Sequence, residues 1–185
     1  MNTFTTITGI VAGIIVVVLI LAAIAPKAYV VQRSITINRP RQQVFDYVKY
    51  LRNQNYYSKW VMTDPNKRMT NTGTDGTEGY KSAWDSDMKQ AGKGEQTIEK
   101  IVDGERIDIR VVFIKPFAGV ADTYMATRTL TPDSTTVTWA FASKMPFPMN
   151  TMLLFVNMEK ILGADMETSL NNLKREVEKQ ETIKT

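Results

Sequence analysis

Two residue types are missing from this chain of 185 residues, which contains no cysteine and no histidine. Without cysteine there is no disulfide, no thiolate nucleophile and no cysteine-based metal site. Without histidine there is no Ser-His-Asp triad, no histidine-ligated zinc or iron and no imidazole acid–base catalysis. Any catalysis must therefore use Asp, Glu, Lys, Tyr or Arg. We name no catalytic residue, and we expect no metal ion and no cofactor.

Charged side chains are also absent from residues 1–26, and the stretch Ile7–Ala25 is almost purely aliphatic. A helix of about 19 residues rises roughly 28 Å, which is close to the thickness of the hydrocarbon core of a bilayer. We therefore predict that residues 1–26 form a transmembrane anchor in contact with the lipid bilayer through residues 7–25. The protein would then be a single-pass membrane protein.

A cleavable signal peptide and a buried core helix are the alternatives for this stretch. A signal peptide needs a basic start and a shorter apolar segment, whereas residues 1–6 contain no Lys or Arg. An Ala-x-Ala site is present at Ala23–Ala25, but Pro26 follows directly and should hinder cleavage. The sequence therefore favours an uncleaved anchor.

The flanks and the glycines of the anchor give two further expectations. Lys27 and three arginines follow the apolar stretch before the first acidic residue, Asp46. The positive-inside rule therefore places the soluble domain in the cytoplasm. Gly9 and Gly13 form a Gly-x-x-x-Gly pair, which is typical of helix pairing but common by chance, so a homodimer through these glycines is possible.

About 155 residues remain beyond the anchor, which is enough for one domain with its own core. The net charge is only +4, and the basic residues are scattered rather than clustered. We therefore expect no nucleic-acid partner. Lys27 and Arg33 lie near the bilayer surface, where they either attract anionic headgroups weakly or serve as ordinary solubilising charges.

The soluble part shows a strand, a helical region, a sheet and a final helix. The segment 29–38 alternates apolar and polar residues and is predicted to be a strand, with Asn38 capping a helix that has Pro40 in its first turn. The Gly-rich segment 71–79 is predicted to be a loop. Period-two patterns joined by short turns then predict an antiparallel meander of five strands: 80–86, 92–102, 106–115, 119–130 and 135–143.

The last predicted element is a long helix that begins at Asn150 and ends at about Gln180. Asn150 can cap its first turn. Its apolar stripe comprises Met152, Phe155, Val156, Leu162, Met166, Leu170, Leu173 and Val177. A long amphipathic helix after a sheet indicates an α+β fold in which the sheet buries this stripe.

This order of elements resembles the SRPBCC superfamily, also described as START-like or polyketide cyclase/dehydrase-like, with the helix-grip fold. The resemblance covers about residues 29–178. The segments that carry it are Val31–Ile37 with Pro40, Val44–Val48, Ser58–Trp60, Gly92–Gln96, Lys115–Phe117 and Leu170–Lys174.

The resemblance implies a curved antiparallel sheet of about six to seven strands wrapped around the C-terminal helix. The chain would divide into an anchor (1–26), an SRPBCC-like domain (27–180) and a polar tail (181–185). Superfamily members hold lipids, sterols, polyketides and other apolar molecules in a cavity between sheet and helix, and some are cyclases. A small apolar ligand is therefore the expected partner.

Candidate ligand contacts are the large side chains on the predicted inward strand faces and on the helix stripe. Core packing is the alternative for each of them. They are Trp84, Phe113, Tyr124, Trp139, Phe141, Phe155 and Met158.

Two charged residues complete the candidate site. Glu159 falls within the helix stripe, where it either anchors a ligand hydroxyl, acts as an acid with a raised pKa, or points to solvent. Arg110 with Tyr124 would polarise a carbonyl, and the alternative is an exposed cross-strand ion pair.

Three functions remain open from the sequence. The first is a membrane-anchored protein that binds an apolar small molecule or lipid. The second is a cyclase or aromatase that positions a polyketide by electrostatics. The third is a protein-interaction module whose cavity is filled by side chains. The sequence favours the first.

Overall fold

The computed structural model describes residues 3–179. The predicted polar tail 181–185 and the predicted helix end at Gln180 lie outside these residues. In chain order the elements are α1 (Thr3–Ile24), β1 (Ala28–Ile37), α2 (Arg41–Val48), α3 (Gln54–Tyr57), β2 (Arg68–Thr72), β3 (Lys81–Asp85), β4 (Lys93–Val102), β5 (Arg106–Lys115), β6 (Gly119–Thr131), β7 (Ser134–Lys144) and α4 (Met158–Lys179). Short 3₁₀ helices occupy Leu51–Asn53, Val61–Thr63 and Met149–Leu154.

The seven strands form one antiparallel sheet with the order β1-β7-β6-β5-β4-β3-β2. Strands β2 to β7 form a meander. Strand β1 pairs with β7 and forms the other edge of the sheet, so that Val31 lies opposite Phe141. Alternation sets the two faces: on β5, Ile107 and Ile109 are buried on the inner face, while Arg110 is exposed on the outer face. The α+β helix-grip fold predicted from the sequence is confirmed.

Helix α4 lies against the inner face and runs beside β1. Its buried residues recur at helical spacing and are Met166, Leu170, Leu173 and Val177. Helix α2 adds Val44, Phe45 and Val48 to the same core. Burial of each such side chain contributes roughly 1.5–3 kcal/mol, so the core between sheet and helices holds the fold together.

Two predicted helix starts and one predicted loop need correction. Helix α4 begins at Met158, eight residues after Asn150, because the Asn150 amide caps α1 instead and the Asn157 side chain accepts from the amide of Lys160. Asn38 does not cap α2, since Pro40 occupies that position and makes no capping side-chain bond. The predicted loop at 71–79 begins two residues too early, because Asn71 and Thr72 belong to β2, a strand that the sequence did not predict.

Helix α1 is long and apolar enough to cross a membrane. It carries no charged side chain, and only 6% of its most apolar stretch is buried. A core helix would be mostly buried, so the structure disfavours that alternative and leaves the anchor and the signal peptide. The end of α1 contacts the 3₁₀ segment Met149–Leu154. This contact buries Ala22 of α1 and Ala25, which follows it.

Candidate ligand-binding cavity

A cavity of about 240 Å³ lies between the inner face of the sheet, the segment from α3 to β2 and the start of α4. Strands β3 to β7 supply one wall, and Leu162 of α4 closes another. The lining residues are mostly apolar: Gln54, Ser58, Trp60, Val61, Lys67, Met69, Trp84, Gln90, Ala91, Gln96, Ile109, Val111, Phe113, Thr123, Met125, Trp139, Phe141 and Leu162.

Aromatic rings form a continuous wall of this cavity. The Trp60 ring lies 5.4 Å from Trp139 and 5.8 Å from Phe141, measured between centroids. Phe113 lies 6.5 Å from Phe141, and Trp84 extends the series at 6.2 Å from Phe113. Such tilted and edge-to-face pairs stabilise one another beyond their burial, so the wall is a preformed surface for an apolar guest.

Hydrogen bonds fix the orientation of all three indoles. The Trp139 Nε1–H donates to Thr123 Oγ1 at 2.9 Å, and that hydroxyl donates to the Ala140 carbonyl at 2.6 Å. The Trp84 Nε1–H donates to the Ala91 carbonyl at 3.0 Å. The Trp60 Nε1–H donates to Asp165 Oδ2 at 2.9 Å. Because each indole N–H has a protein partner, no ligand has to satisfy it.

A few polar groups interrupt the apolar lining. Gln96 Nε2 donates to Gln54 Oε1 at 3.1 Å. Among the lining residues Lys67 is the one that carries a charge, and its Nζ donates to the carbonyls of Val61 at 2.7 Å and Asp64 at 3.0 Å. The lining therefore contains one ammonium group and three side-chain amides, those of Gln54, Gln90 and Gln96, among mostly apolar residues.

Tyr57 lies behind the cavity wall and is fully buried. Its hydroxyl donates to Met125 Sδ at 3.5 Å. Burial raises the pKa of this phenol well above its ordinary value of 10. Tyr57 therefore stays neutral at any physiological pH and cannot serve there as a base.

Within residues 3–179 no cluster of three or more Asp and Glu side chains is arranged to hold a metal ion. Over the same range no carboxylate lines the cavity. The cavity as built can therefore bind an apolar molecule by contact with rings and orient it through Lys67 and the three glutamines of the lining.

Four of the sequence-predicted residues line the cavity, namely Trp84, Phe113, Trp139 and Phe141. All four lie on inward positions of β3, β5 and β7. The structure brings them together, and their contact with a ligand remains a prediction.

Arg110 and Tyr124 lie on the outer face of the sheet, which corrects their expected position inside the cavity. Strand alternation explains this, since the inward residues of β6 are Thr123 and Met125. Arg110 forms long ion pairs of 3.8 Å with both Glu99 and Asp122. The Tyr124 ring lies 3.7 Å from the Arg106 guanidinium and its hydroxyl bonds to Gln32 at 3.2 Å.

Phe155, Met158 and Glu159 also lie outside the cavity. They line a second groove of about 410 Å³ between the start of β1 and the start of α4. Phe155 is 76% exposed. Glu159 is ion-paired with Arg33 at 2.5 Å, and Arg33 also pairs with Glu167 at 2.5 Å. The expected cavity position fails for Phe155 because α4 begins after it. Met158 and Glu159 lie in the first turn of α4, where Glu159 faces Arg33 of β1 rather than the cavity.

Sequence reasoning missed the lining residues between Gln54 and Met69. They belong to short helical turns and to β2, whose five residues are all exposed, so neither period-two nor helical patterning marks them. The one available signal was Trp60, a large aromatic residue within a polar segment.

Residues 29–178 match the model of a protein family described as polyketide cyclase/dehydrase and lipid transport. Among solved structures, norcoclaurine synthase from Thalictrum flavum superposes with a TM-score of 0.63 at 7% identity, covering 86% of this chain and 92% of that chain. The same enzyme in complex with dopamine and hydroxybenzaldehyde superposes with a TM-score of 0.58 at 7% sequence identity, covering 85% of this chain and 91% of that chain. A protein from Nitrosospira multiformis superposes with a TM-score of 0.56 at 14% sequence identity, covering 83% of this chain and 99% of that chain. A comparison with curated proteins finds no match.

Proposed function

Because the chain belongs to the polyketide cyclase/dehydrase and lipid transport family, we propose that it is a binding protein for a small apolar molecule, anchored in a membrane by α1. The observation that carries this proposal is the cavity of about 240 Å³ with its wall of fixed aromatic rings. Open space of this size does not favour an interaction module with a filled cavity.

The size of the cavity limits the ligand. A dry cavity of about 150 Å³ holds benzene, and pockets for drug-sized molecules run from about 300 to 1,000 Å³. A volume of about 240 Å³ lies between these values. We therefore propose a ligand with one substituted ring or a single short hydrocarbon chain as the part that is held.

The polar side of the cavity limits its chemistry. Lys67 Nζ already donates to two backbone carbonyls, and an ammonium group has three donors, so one donor is left for a ligand. Gln54 is buried and its Oε1 is engaged by Gln96. A ligand with one carbonyl, phenol or carboxylate on an apolar body fits these few polar groups.

The membrane part of the proposal is supported by the exposed apolar surface of α1. An apolar ligand partitions into lipid, so an anchored cavity stays close to its source. The basic residues after the span favour a cytoplasmic domain, and a protease-protection assay on sealed membranes tests that orientation.

Native mass spectrometry of the full chain in lipid nanodiscs tests the proposal. We expect a small lipophilic species to be retained with the protein. Val111→Phe adds volume inside the cavity and should lower the retained fraction at least fivefold. Val112→Phe is the matched control, because Val112 is the next residue of β5 and faces outward. Equal retention by both variants, or none by the unmodified chain, would contradict the proposal.

An enzymatic role is the second candidate. The observation that favours it is the charged amine of Lys67 in the lining of the cavity. A structure of norcoclaurine synthase with this fold contains dopamine and hydroxybenzaldehyde, which shows that the fold can bind small aromatic molecules. Lys67→Met separates the two roles. A binding protein should keep its apolar ligand with an affinity reduced about tenfold or less, whereas turnover that depends on the amine should be lost.

A further inference from the structure

One end of the soluble domain is continuous with α1, and we call it the anchor end. Strand β1 starts there at Ala28, opposite Lys144 at the end of β7. The register places the β5–β6 turn at the same end, because Phe113 pairs with Gly119. The β3–β4 turn is also there, since Asp85 pairs with Lys93 and Lys93 pairs with Lys115. These turns and the segment 145–158 together form the anchor end.

Large apolar side chains are exposed at the anchor end. Phe117 in the β5–β6 turn is 72% exposed and Phe155 is 76% exposed. The 3₁₀ segment and its approach add Phe147, Met149, Met152 and Leu154, all of them exposed. Among the described residues of the strand ends on the opposite side, the exposed large apolar ones are Val102 and Leu130. Soluble monomers rarely expose apolar side chains in such concentration without a partner.

Lysines accompany this apolar surface. Lys27, Lys89, Lys115, Lys144 and Lys160 all lie at or beside the anchor end and are exposed. Over the described range none of these five is within 4 Å of a carboxylate. Three carboxylates at this end, Asp85, Asp87 and Glu159, are each paired with a basic side chain. Exposed apolar side chains together with these five lysines fit the interface of an anionic bilayer, where rings enter the headgroup region and ammonium groups meet lipid phosphates.

Asn150 ties this surface to the end of α1. Its Nδ2 donates to the Ala22 carbonyl at 2.7 Å and to the Ala25 carbonyl at 3.3 Å, and Asn150 and Ala22 are fully buried. These bonds satisfy carbonyls that the last turn of a helix leaves unpaired. The apolar 3₁₀ segment is therefore held at the level where α1 would leave the hydrocarbon core.

The cavity also reaches the surface at the anchor end. Among its lining residues the exposed ones are Met69, beside the first residue of β2, and Gln90, in the β3–β4 turn. The buried lining residues, such as Thr123 and Met125, lie farther along the strands. The exposed part of the cavity lining therefore lies at the same end as the apolar surface, and we take it as the mouth of the cavity.

We propose that the anchor end is a bilayer-docking surface that presses the mouth of the cavity against lipid. Phe117, Met152 and Phe155 lie in the interface, the lysines lie among the headgroups, and ligand passes between bilayer and cavity without crossing bulk water. This inference rests on the proposed function, since it requires α1 to span the bilayer and the cavity to hold ligand.

Depth measurement with single labels tests the docking, and the absence of cysteine makes the chain suitable for it. Single variants Phe117→Cys, Met152→Cys, Leu130→Cys and Val16→Cys are labelled with NBD. The full-length proteins are reconstituted into vesicles of phosphatidylcholine and phosphatidylglycerol that contain doxyl-labelled lipid. Leu130 is the matched control, because it is 61% exposed at the opposite end. Val16 reports on the anchor itself.

We expect doxyl lipid to quench labels at 16, 117 and 152 at least threefold more strongly than the label at 130. Quenching at 16 with equal, weak quenching at 117, 152 and 130 overturns the docking and leaves the anchored binding function standing. A blue-shifted but unquenched label at 117 also overturns it, because a protein surface then covers Phe117. No quenching at 16 overturns the anchor and the docking together, while retention of ligand is judged by mass spectrometry alone.

Discussion

Thr123 shows how one small side chain sets the shape of the cavity. Its hydroxyl accepts from the Trp139 indole and donates to the Ala140 carbonyl, and the residue is buried. Trp139 in turn contacts Trp60 and Tyr57. The orientation of the aromatic wall therefore depends on a hydroxyl that no sequence pattern would single out.

Thr123→Val should lower the free energy of unfolding by about 1–3 kcal/mol, because the substitution leaves a buried indole N–H without an acceptor. Thermal unfolding of the full chain in micelles, followed by circular dichroism, measures the change. Thr129→Val on the same strand is the control and should change stability by less than about 0.5 kcal/mol, since Thr129 is exposed. Equal effects of the two substitutions would contradict the assigned role.

The hydrogen bonds that Asp64 accepts near the mouth of the cavity should be sensitive to acid. Ser86 donates to Asp64 Oδ2 at 2.5 Å and the Asn66 amide donates to Oδ1 at 2.8 Å. The hydrogen bond from Ser86, aided by that from Asn66, holds the pKa of this carboxyl below its ordinary value. A lowered folded pKa gives stability that is present above the unfolded value of about 3.9 and is lost as pH falls through the folded value.

Asp64→Asn should therefore lower the melting temperature at pH 7, and the difference from the unmodified chain should shrink as the pH falls below about 4. Melting curves from pH 7 to pH 3 check this. A difference that stays constant over that range would show that the carboxylate charge is not what stabilises the contact.

At the residue level the sequence predicted aromatic lining where strand alternation is regular, as for Trp84, Phe113, Trp139 and Phe141. It failed at Tyr124 because β6 places Thr123 and Met125 inward and its aromatic residue outward. From the size and hydrophobicity of the side chains alone, Tyr124 would be placed inward and Thr123 outward. Only the pairing of neighbouring strands settles which face of β6 is inside.

At the scale of elements, Gly94 of β4 lies between strands β3 and β5. Gly94 pairs with Trp84 on one side and Phe113 on the other. A Cβ at this position would lie 2.5 Å from the Val112 carbonyl oxygen and 2.6 Å from Trp84 Cη2 and Cζ2. The glycine therefore provides the space in which the Trp84 ring lies.

Gly94→Ala should destabilise the domain by about 1–3 kcal/mol, because a backbone carbonyl cannot move away as a side chain can. It should also push Trp84 toward the cavity and weaken ligand retention. Gly119→Ala is the control, since a Cβ there meets no atom within 4 Å. Unfolding curves and native mass spectra of both variants check the prediction, and equal behaviour of the two would contradict it.

Helix boundaries were harder to predict than helices. The apolar pattern predicted α4 correctly from Leu162 to Val177, because that stripe is buried against the sheet. Its start was misassigned because Asn150 reads as a helix cap, while in the structure its amide caps the end of α1, more than 120 residues earlier in the chain. A residue suited to capping does not reveal which helix it caps.

At the scale of the molecule, the helix-grip fold and the family were predictable and are confirmed, whereas strand β2 was not predicted. Strand alternation, short turns and one amphipathic helix leave few arrangements other than a sheet around that helix. The size of the cavity was not predictable. It depends on how closely the segment from α3 to β2 approaches the sheet, and that segment has no periodic pattern.

Pairing of two copies through the anchor remains a prediction. A Cβ at either Gly9 or Gly13 would meet no atom within 4 Å, so this face of α1 has room for a second helix. We expect energy transfer between copies labelled at an introduced Leu130→Cys in vesicles, and its loss in Gly13→Leu. Val11→Leu on the opposite face is the control. Equal transfer in both variants, or none in the unmodified anchor, would contradict pairing.

Three residues, 25 to 27, separate the end of α1 from the start of β1, and they span at most about 10 Å. With α1 in a bilayer, the domain cannot move far from the membrane surface. The hydrogen bond from Asn150 to the end of α1 also restricts its rotation relative to that helix. Exchange of the proposed ligand would therefore be confined to the plane of that membrane. Its rate should scale with the number of copies per unit area, and transfer to a second vesicle should require contact between the two membranes.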